Sequence, residues 1–163
     1  MLGRVHGFAL QVFRRLPVKL RRRVVRTISP AYTVGAVCVI EREDGALLLA
    51  RQSYRNSWGL PGGLLKRGES PEDAARREVY EESTLAVDLL GDPAVVVDEE
   101  AQRVDVVFRA RPAIDVDPGT ARPGSPEIVE IAWFAIDALP DLQFETSGAL
   151  VALARRAVAP APD

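Results

Sequence analysis

One stretch of the chain, residues 63–85, reads GLLKRGESPEDAARREVYEESTL. Ser70 is a favourable helix N-cap, Pro71 suits the first helical position, and the acidic residues that follow favour the positive end of a helix. Because successive helical residues are rotated by about 100°, three carboxylates then fall within roughly a third of the circumference. They belong to Glu78, Glu81 and Glu82. The stretch therefore predicts a helix with one strongly acidic face.

An acidic face of this kind is unfavourable for an isolated helix, because like charges three or four residues apart repel one another. Arg77 can offset part of the repulsion through Glu81, but one cation does not neutralise three carboxylates. A bound divalent cation would, and carboxylate oxygens are the hard ligands that Mg²⁺ and Mn²⁺ prefer. Gly62 and Gly63, before the helix, let backbone groups approach a metal or a phosphate closely. The alternative is an acidic face that is simply solvated.

The same stretch resembles the Nudix box of the MutT/Nudix hydrolase family, G-x5-E-x7-R-E-U-x-E-E-x-G-U, where U is aliphatic. The matching positions are Gly63, Glu69, Arg77, Glu78, Val79, Glu81, Glu82 and Leu85. Thr84 stands where the family has its last glycine. A glycine there suits a left-handed helix C-cap, which a β-branched residue adopts poorly. We therefore expect the helix to run slightly longer, or to end through a different turn.

The resemblance implies an enzyme that cuts a pyrophosphate bond in a nucleoside diphosphate linked to another moiety, with the help of divalent cations. It implies that Glu78 and Glu82 are the principal metal ligands, and that Glu81 adds a ligand directly or through water. A backbone carbonyl of Gly62 or Gly63 would complete the shell. The expected ion is Mg²⁺, with Mn²⁺ as the alternative.

The remaining catalytic roles also follow from the resemblance. Arg77 would orient the carboxylates through an ion pair, and Glu69 would steady the loop and the helix start. The base that activates water has three candidates, which are Glu82, Glu127 and Glu130. Family members often draw a glutamate from the loop before the Trp-containing strand, and Glu130 is favoured for its proximity to that strand. The predicted catalytic residues are Arg77, Glu81, Glu82 and Glu130.

Two arginines upstream of the box, Arg51 and Arg55, are candidates to bind the anionic groups of the substrate. Guanidinium groups match phosphate oxygens in geometry and charge, which is the reason for this assignment. The alternative is that both are exposed charges near a turn. Trp58, in the same region, is interpreted as a packing anchor for its loop.

Strands and helices follow one another in a mixed order along the chain. Strands are predicted at 32–40, 46–51, 86–90, 94–98, 103–109 and 127–134, and a last helix at 146–158. Asp44-Gly45 predicts a hairpin between the first two strands, and 91–93 and 99–102 read as turns. A Pro/Gly-rich loop at 115–126 is expected to border the active site. The order favours an α/β fold that resembles the Nudix α/β/α sandwich with a mixed sheet.

Charge divides the chain into two predicted parts. Residues 1–30 hold eight of the 21 Lys and Arg residues and no Asp or Glu, so the remainder has a net charge of −10. Apolar residues recur at helical spacing from Val5 to Leu16, and a second basic piece follows Pro17. We interpret 1–30 as a basic amphipathic helical extension and 31–159 as the Nudix hydrolase domain. The extension could pack on the domain or on a homodimer partner, or contact a membrane surface or nucleic acid.

Composition is that of an ordinary globular protein, with 47% hydrophobic and 27% charged residues among 163. Cys38 is the single cysteine, which excludes an internal disulfide and suits a reducing compartment. No stretch has the roughly 20 apolar residues needed to span a bilayer, and the N-terminus lacks the cleavage pattern of a signal peptide. The sequence therefore predicts a cytoplasmic protein.

Substrate identity is the least determined property. The ADP-ribose subgroup of the family has a proline about sixteen residues after the box, and no proline lies near Ala101 here. The NADH subgroup's proline-rich array is also absent. A MutT-like enzyme acting on a nucleoside triphosphate is favoured, and a nucleotide sugar or dinucleoside polyphosphate is the alternative. Two non-enzymatic alternatives are a nucleotide-binding regulatory module and a membrane or RNA adaptor.

Overall fold

The computed structural model describes residues 13–158. These residues form two units, of which one ends at Tyr32 and the other begins at Thr33. The first unit contains helix α1, Val18–Ile28, so the basic piece after Pro17 is helical. The amphipathic helix predicted over 5–16 lies largely outside the described residues. In the described part of the chain, no helix is long and apolar enough to cross a membrane.

The second unit contains the other helices and the strands that the structure describes. The strands are Thr33–Ile40 (β1), Leu47–Gln52 (β2), Gly62–Leu64 (β3), Val87–Asp98 (β4), Arg103–Pro112 (β5) and Ile128–Phe134 (β6). The helices are Pro71–Ser83 (α2) and Phe144–Val158 (α3), and one 3₁₀ turn spans Pro118–Thr120. Four strands form one sheet in the order β3-β1-β5-β4, while β2 and β6 pair separately. Because β1 and β5 are parallel and the other pairs antiparallel, the sheet is mixed, as predicted.

The two helices of this unit cover opposite faces of the four-stranded sheet. Cys38 and Val39 are adjacent in β1, so their side chains point to opposite faces. Cys38 belongs to a buried cluster that includes Val79 of α2, whereas Val39 belongs to a cluster that includes Leu153 of α3. This arrangement confirms the α/β/α sandwich. Cys38 is fully buried and unpaired, and burial raises the pKa of its thiol to about 12.

The predicted hairpin between the first two strands is wrong. The turn itself forms, with Gly45 at a φ of 82°, but a single bridge between Glu41 and Leu47 is all that joins β1 to β2. Strand β2 instead runs antiparallel to β6. Four consecutive residues of β2, from Leu47 to Ala50, are buried, so the strand needs cover on both faces. The Asp44-Gly45 signal depends only on neighbouring residues, so it does not indicate that β2 must be covered on both faces.

The predicted turn at 91–93 is also wrong. Strand β4 continues through these residues, and its register against β5 shifts between Leu90 and Ala94. Gly91 has a φ of 60°, which a glycine adopts at low cost. Since β4 is an edge strand, it tolerates an irregularity that contains Gly91 and Pro93. The strands predicted at 86–90 and 94–98 are thus a single strand, β4, with a bulge.

Thr84 ends helix α2 in a way that the sequence did not indicate. It takes the left-handed conformation itself, with a φ of 57°, so the helix stops at Ser83 instead of running longer. The loop at 115–126 closes this helix end, because the N–H of Arg122 donates to Ser83 O and that of Gly124 donates to Glu82 O. These bonds satisfy carbonyls that a helix end leaves open. The loop therefore packs on the helix end, and its residues do not line the cavity described below.

Candidate active site

Helix α2 begins as the sequence predicts. The Ser70 hydroxyl accepts a hydrogen bond from the Asp73 N–H at 3.1 Å, and Pro71 occupies the first turn. Glu69, just before the cap, accepts from the Lys66 N–H at 2.7 Å. Both of its carboxylate oxygens also accept from Arg77, at 2.6 and 2.8 Å. The loop before the helix is thereby fixed to the helix's second turn.

Arg77 is the cation that holds this segment together. Its guanidinium donates to Glu69, to Glu78 at 2.6 Å, to Glu81 at 3.1 Å and to the Leu64 carbonyl at 3.2 Å. The hydrogen bonds from Arg77, followed by that from the Lys66 N–H, lower the pKa of Glu69 to about 2. The hydrogen bond to Glu69, with those to Glu78 and Glu81, raises the pKa of Arg77 above its usual value, although burial opposes the rise. The guanidinium fork therefore binds three acidic side chains at once.

The side chains of Glu78 and Glu82 approach the backbone at Gly62 and Gly63, which precede helix α2. The Gly62 N–H donates to Glu82 Oε2 at 3.1 Å. A Cβ on Gly63 would lie 2.5 Å from the carboxylate carbon of Glu78, and one on Gly62 would collide with the Ala36 carbonyl. The approach of Glu78 therefore requires glycine at position 63, whereas the approach of the β1 backbone requires it at position 62.

Glu82 carries the most deeply buried carboxylate of this region. The residue is 9% exposed, and the Gly62 N–H is its hydrogen-bond partner among residues 13–158. Burial raises the pKa of Glu82 to about 7, and the charges of Glu78, Glu127 and Glu81 add to this rise, while the Gly62 N–H opposes it. A buried carboxylate among other carboxylates is an environment that attracts a cation.

Glu82 should make the stability of the metal-free protein fall as the pH rises. The folded-state pKa of about 7 lies above the ordinary value of 4.5, so the folded state binds more protons than the unfolded state between these values. The free energy of unfolding should therefore drop by up to about 3 kcal/mol between pH 4.5 and pH 7. Urea unfolding in a chelator at pH 5 and pH 8 measures the effect. Glu82→Gln should lose this pH dependence, and an identical dependence in both proteins would contradict it.

The donor chemistry of this region fits a hard divalent cation. Glu78 and Glu82 bring carboxylates to the backbone at Gly62 and Gly63, and oxygen ligands are those that Mg²⁺ and Mn²⁺ prefer. Within residues 13–158, no three acidic, His or Cys side chains form a complete ligand group. The Glu81 carboxylate is bound to Arg77 and, at 3.4 Å, to Lys66. The predicted third ligand is therefore turned toward cations of the protein itself.

A cavity of about 920 Å³ contains this region. It is lined by Glu78, Glu82, Gly62, Gly63, Arg55 and Glu127. The end of β4, the turn that follows and the start of β5 form another part of its wall, with Asp98, Glu99, Glu100, Arg103 and Asp105. Sequence reasoning missed this wall, because the parallel pairing of β1 with β5 brings it in from a distant part of the chain. No local signal marks these residues.

Four predicted site residues do not line the cavity, although all four lie within the described residues. They are Arg51, Arg77, Glu81 and Glu130. Arg51 and Glu130 are register partners in the β2–β6 ladder, and Arg51 donates to Glu130 Oε2 at 2.6 and 3.0 Å. The charges of Arg51 and Glu130 therefore compensate each other in an ion pair outside the cavity lining. Arg55 lines the cavity, where it contacts Glu145 at 3.2 Å.

The remaining contacts of this region involve Trp58, Tyr54 and Glu127. Trp58 packs edge-on against Phe134 with ring centroids 4.8 Å apart, which agrees with its interpretation as a loop anchor. Glu127, which sequence reasoning weighed as a base but did not favour, accepts a hydrogen bond from the Tyr54 hydroxyl. Both Tyr54 and Glu127 line the cavity. Tyr54 was not singled out, because an isolated tyrosine in a loop carries no spacing signal.

Comparison with known proteins identifies the class. The NUDIX domain family model matches residues 31–154, and the chain belongs to this family of hydrolases, which act on nucleoside diphosphate derivatives and generally need divalent metal ions. It is 32% identical over 119 residues to a MutT-like protein of Streptomyces ambofaciens, covering 73% of this chain and 74% of that protein.

Further similarities extend to a human protein and a crystal structure. The chain is 32% identical over 126 residues to the 8-oxo-dGDP phosphatase NUDT18 of Homo sapiens, covering 76% of this chain but 36% of that protein. The chain thus spans about a third of the human relative. A NUDIX hydrolase from Nitrosomonas europaea superposes with a TM-score of 0.67 and 26% identity, covering 83% of this chain and 78% of that one.

Proposed function

We propose that this chain is a MutT-like pyrophosphohydrolase that cleaves a nucleoside triphosphate, with Mg²⁺ as the metal and Mn²⁺ as the alternative. The observation that carries the proposal is the convergence of Glu78 and Glu82 on Gly62 and Gly63 within one cavity. These two carboxylates, with a carbonyl of Gly62 or Gly63, would hold the metal. When bound, a divalent cation supplies the positive charge that stabilises phosphate oxygens during cleavage.

Other residues of the chain position the Glu78 carboxylate and bind the substrate. Arg77 fixes the Glu78 carboxylate through its 2.6 Å hydrogen bond, and Glu69 fixes Arg77 in turn. Arg55 lies on the cavity wall and can exchange its contact with Glu145 for a substrate phosphate. Glu81 contributes less directly, by balancing the charge of Arg77.

We propose Glu127 as the base that takes a proton from the attacking water, in place of Glu130. Glu127 lines the cavity with Glu78 and Glu82, whereas Glu130 is paired with Arg51 away from it. A base must reach the proton that it abstracts, and Glu127 meets this condition better.

Charge in the cavity favours one orientation of the substrate. The wall at Asp98, Glu99 and Glu100 is acidic and repels phosphates. The phosphates would lie toward Arg55 and the metal, and the uncharged nucleoside toward the acidic wall. The similarity to a MutT-like protein and to an 8-oxo-dGDP phosphatase supports an oxidised purine nucleotide as the substrate.

The substrate proposal is tested by comparing kcat/KM in Mg²⁺ for 8-oxo-dGTP, 8-oxo-dGDP, dGTP, a UDP-sugar and a dinucleoside tetraphosphate. The proposal expects the triphosphates to be cut to a monophosphate and pyrophosphate, with the oxidised nucleotide preferred. A preference for the diphosphate, the UDP-sugar or the dinucleotide would replace the MutT-like assignment by another one within the family.

Two further properties stay proposals. We propose that residues 1–30 form an extension to a hydrolase domain at 31–159, and that the extension serves a homodimer, membrane or nucleic-acid contact through its basic side chains. We also propose a cytoplasmic location, supported by the single buried thiol at Cys38.

Gly63→Ala should damage the site more than the fold. The added Cβ would meet the Glu78 carboxylate at 2.5 to 2.8 Å, so Glu78 must move away from the metal position. We expect kcat/KM to fall by about tenfold to a hundredfold, since ligand misplacement of about 1 Å has effects of this size. Gly68→Ala is a poor control because Gly68 has a φ of 82°. Gly148→Ala is a better control, because Gly148 also lines the cavity but nothing lies within 4 Å of its added Cβ, so no carboxylate has to move and activity should fall less than about threefold.

A further inference from the structure

Glu127 is anchored through its backbone as well as its side chain. It directly precedes β6, and its carbonyl accepts a hydrogen bond from the Ser53 N–H at 2.8 Å. This bond extends the β2–β6 ladder beyond its last register pair, Gln52 and Ile128. The position of the Glu127 backbone is therefore fixed relative to the loop that follows β2.

The residue after Ser53 reaches the Glu127 side chain. The Tyr54 hydroxyl donates to Glu127 Oε1. The second oxygen of this carboxylate, Oε2, accepts no hydrogen bond from any residue in the described range 13–158. Two consecutive residues, Ser53 and Tyr54, thus hold the backbone and one carboxylate oxygen of Glu127, and leave the other oxygen available.

Tyrosine suits this position because it holds the carboxylate without neutralising it. The hydrogen bond to Glu127, then partial burial and the Glu127 charge, raise the pKa of Tyr54, and Glu82 adds to this while Arg55 opposes it. The phenol therefore stays protonated at neutral pH and remains a donor. Glu130 shows the contrast, because its partner is the guanidinium of Arg51. A base held by a phenol keeps its negative charge, whereas one held by arginine is balanced by a cation.

We infer that Tyr54 is the positioning residue of the catalytic base, holding the Glu127 carboxylate so that its unbonded oxygen can accept the proton of the attacking water. This inference rests on the proposed role of Glu127. Tyr54 forms no bond with the substrate in this role. It acts by restricting the rotation of a side chain that would otherwise be free in a wide cavity.

The test compares Tyr54→Phe with Tyr80→Phe. Tyr80 is a matched control, because it is 60% exposed against 64% for Tyr54 and lies on α2 outside the cavity lining. Tyr54→Phe should lower kcat by about tenfold with KM changed less than about twofold, as expected when a base is misplaced. Tyr80→Phe should keep both constants. A change confined to KM would show instead that Tyr54 binds substrate, and would overturn the inference.

A double-mutant cycle separates positioning from a second, independent effect. Glu127→Gln should lower kcat by roughly a hundredfold or more, the typical contribution of a general base. In that background, Tyr54→Phe should change kcat by less than about twofold, because it acts only through the base. Equal losses in both backgrounds would refute the positioning role. If Glu127→Gln itself keeps full activity, the base assignment fails, and the inference fails with it.

A titration of Tyr54 tests the contact without substrate or metal. NMR of ring-labelled tyrosine should show the pKa of Tyr54 above 10.0 in the wild type, and lower in Glu127→Gln. Tyr80 provides the reference signal in the same sample. An unchanged pKa would mean that the hydrogen bond does not form in solution, which overturns the inference even if the enzyme hydrolyses nucleotides.

Discussion

Replacing Arg77 by alanine is expected to lower the free energy of unfolding by about 2 kcal/mol and to abolish most activity. The guanidinium contacts Glu69 and Glu78, whose side chains are 15% and 17% exposed, and its own is 19% exposed. Removing it leaves two largely buried carboxylates without their cation, and losing one partner of a buried pair costs about 3–5 kcal/mol. We expect a smaller loss, about 2 kcal/mol, because water still reaches all three groups and screens their charges. Urea denaturation measures the change.

Two variants distinguish this effect from a general sensitivity of the helix. Arg76→Ala removes the adjacent arginine, which is exposed and forms no ion pair within residues 13–158, and it should change stability by less than about 0.5 kcal/mol. Arg77→Lys keeps the charge but cannot form the two parallel bonds to Glu69, so it should recover part of the stability. Equal losses in Arg76→Ala and Arg77→Ala would contradict the account of Arg77 as the central cation.

Glu82→Gln is expected to lower kcat/KM by about a hundredfold to ten-thousandfold, because the proposed metal position loses the charge of a buried carboxylate. The size of the glutamine hardly differs, so the fold should be kept. In the absence of metal at pH 8 the variant should even be more stable than the wild type, since a buried charge has been removed. Steady-state kinetics in Mg²⁺ and unfolding in a chelator measure the two effects.

Glu81→Gln is the matched control for this variant. Glu81 lies one residue earlier on the same helix, but its carboxylate is about half exposed and faces Arg77 and Lys66. We expect kcat/KM to fall by less than about tenfold. A loss as large as that of Glu82→Gln would show that Glu81 is a principal metal ligand, which is more than the supporting role that the family resemblance implies.

The parts of the site that could be predicted are those encoded locally. The cap at Ser70, the helix and the contact of Arg77 with Glu81 depend on residues within one or two turns, and sequence spacing reports them. The family resemblance implied that Glu69 steadies the loop and the helix start, but not that Arg77 is its partner. Gly62 and Gly63 were assigned to the close approach of a metal or a phosphate, which stays a prediction; the structure shows the β1 backbone close to Gly62 and the Glu78 carboxylate close to Gly63.

The remaining features depend on pairing between distant strands. Glu127 directly precedes β6 and Glu130 lies within it, and the register against β2 shifts between them, so sequence alternation does not report which of the two faces the cavity. Which of them enters the cavity is therefore set by the register of β6 against β2, where Arg51 takes Glu130. The same non-local pairing removes β2 from the main sheet. The conformation of Thr84 was not predicted for a different reason. Contacts between the loop at 115–126 and the end of α2 override the preference of a β-branched residue against the left-handed region.

The most direct test of the central claim is a product analysis of nucleotide hydrolysis with the full chain, with and without Mg²⁺. The account predicts cleavage of a pyrophosphate bond that begins when Mg²⁺ or Mn²⁺ is added and stops when a chelator is added. It also predicts that the same activity is nearly lost in Glu82→Gln. Hydrolysis that persists in the chelator, or no hydrolysis of any nucleoside diphosphate derivative with either metal, would contradict a metal site built on Glu78 and Glu82.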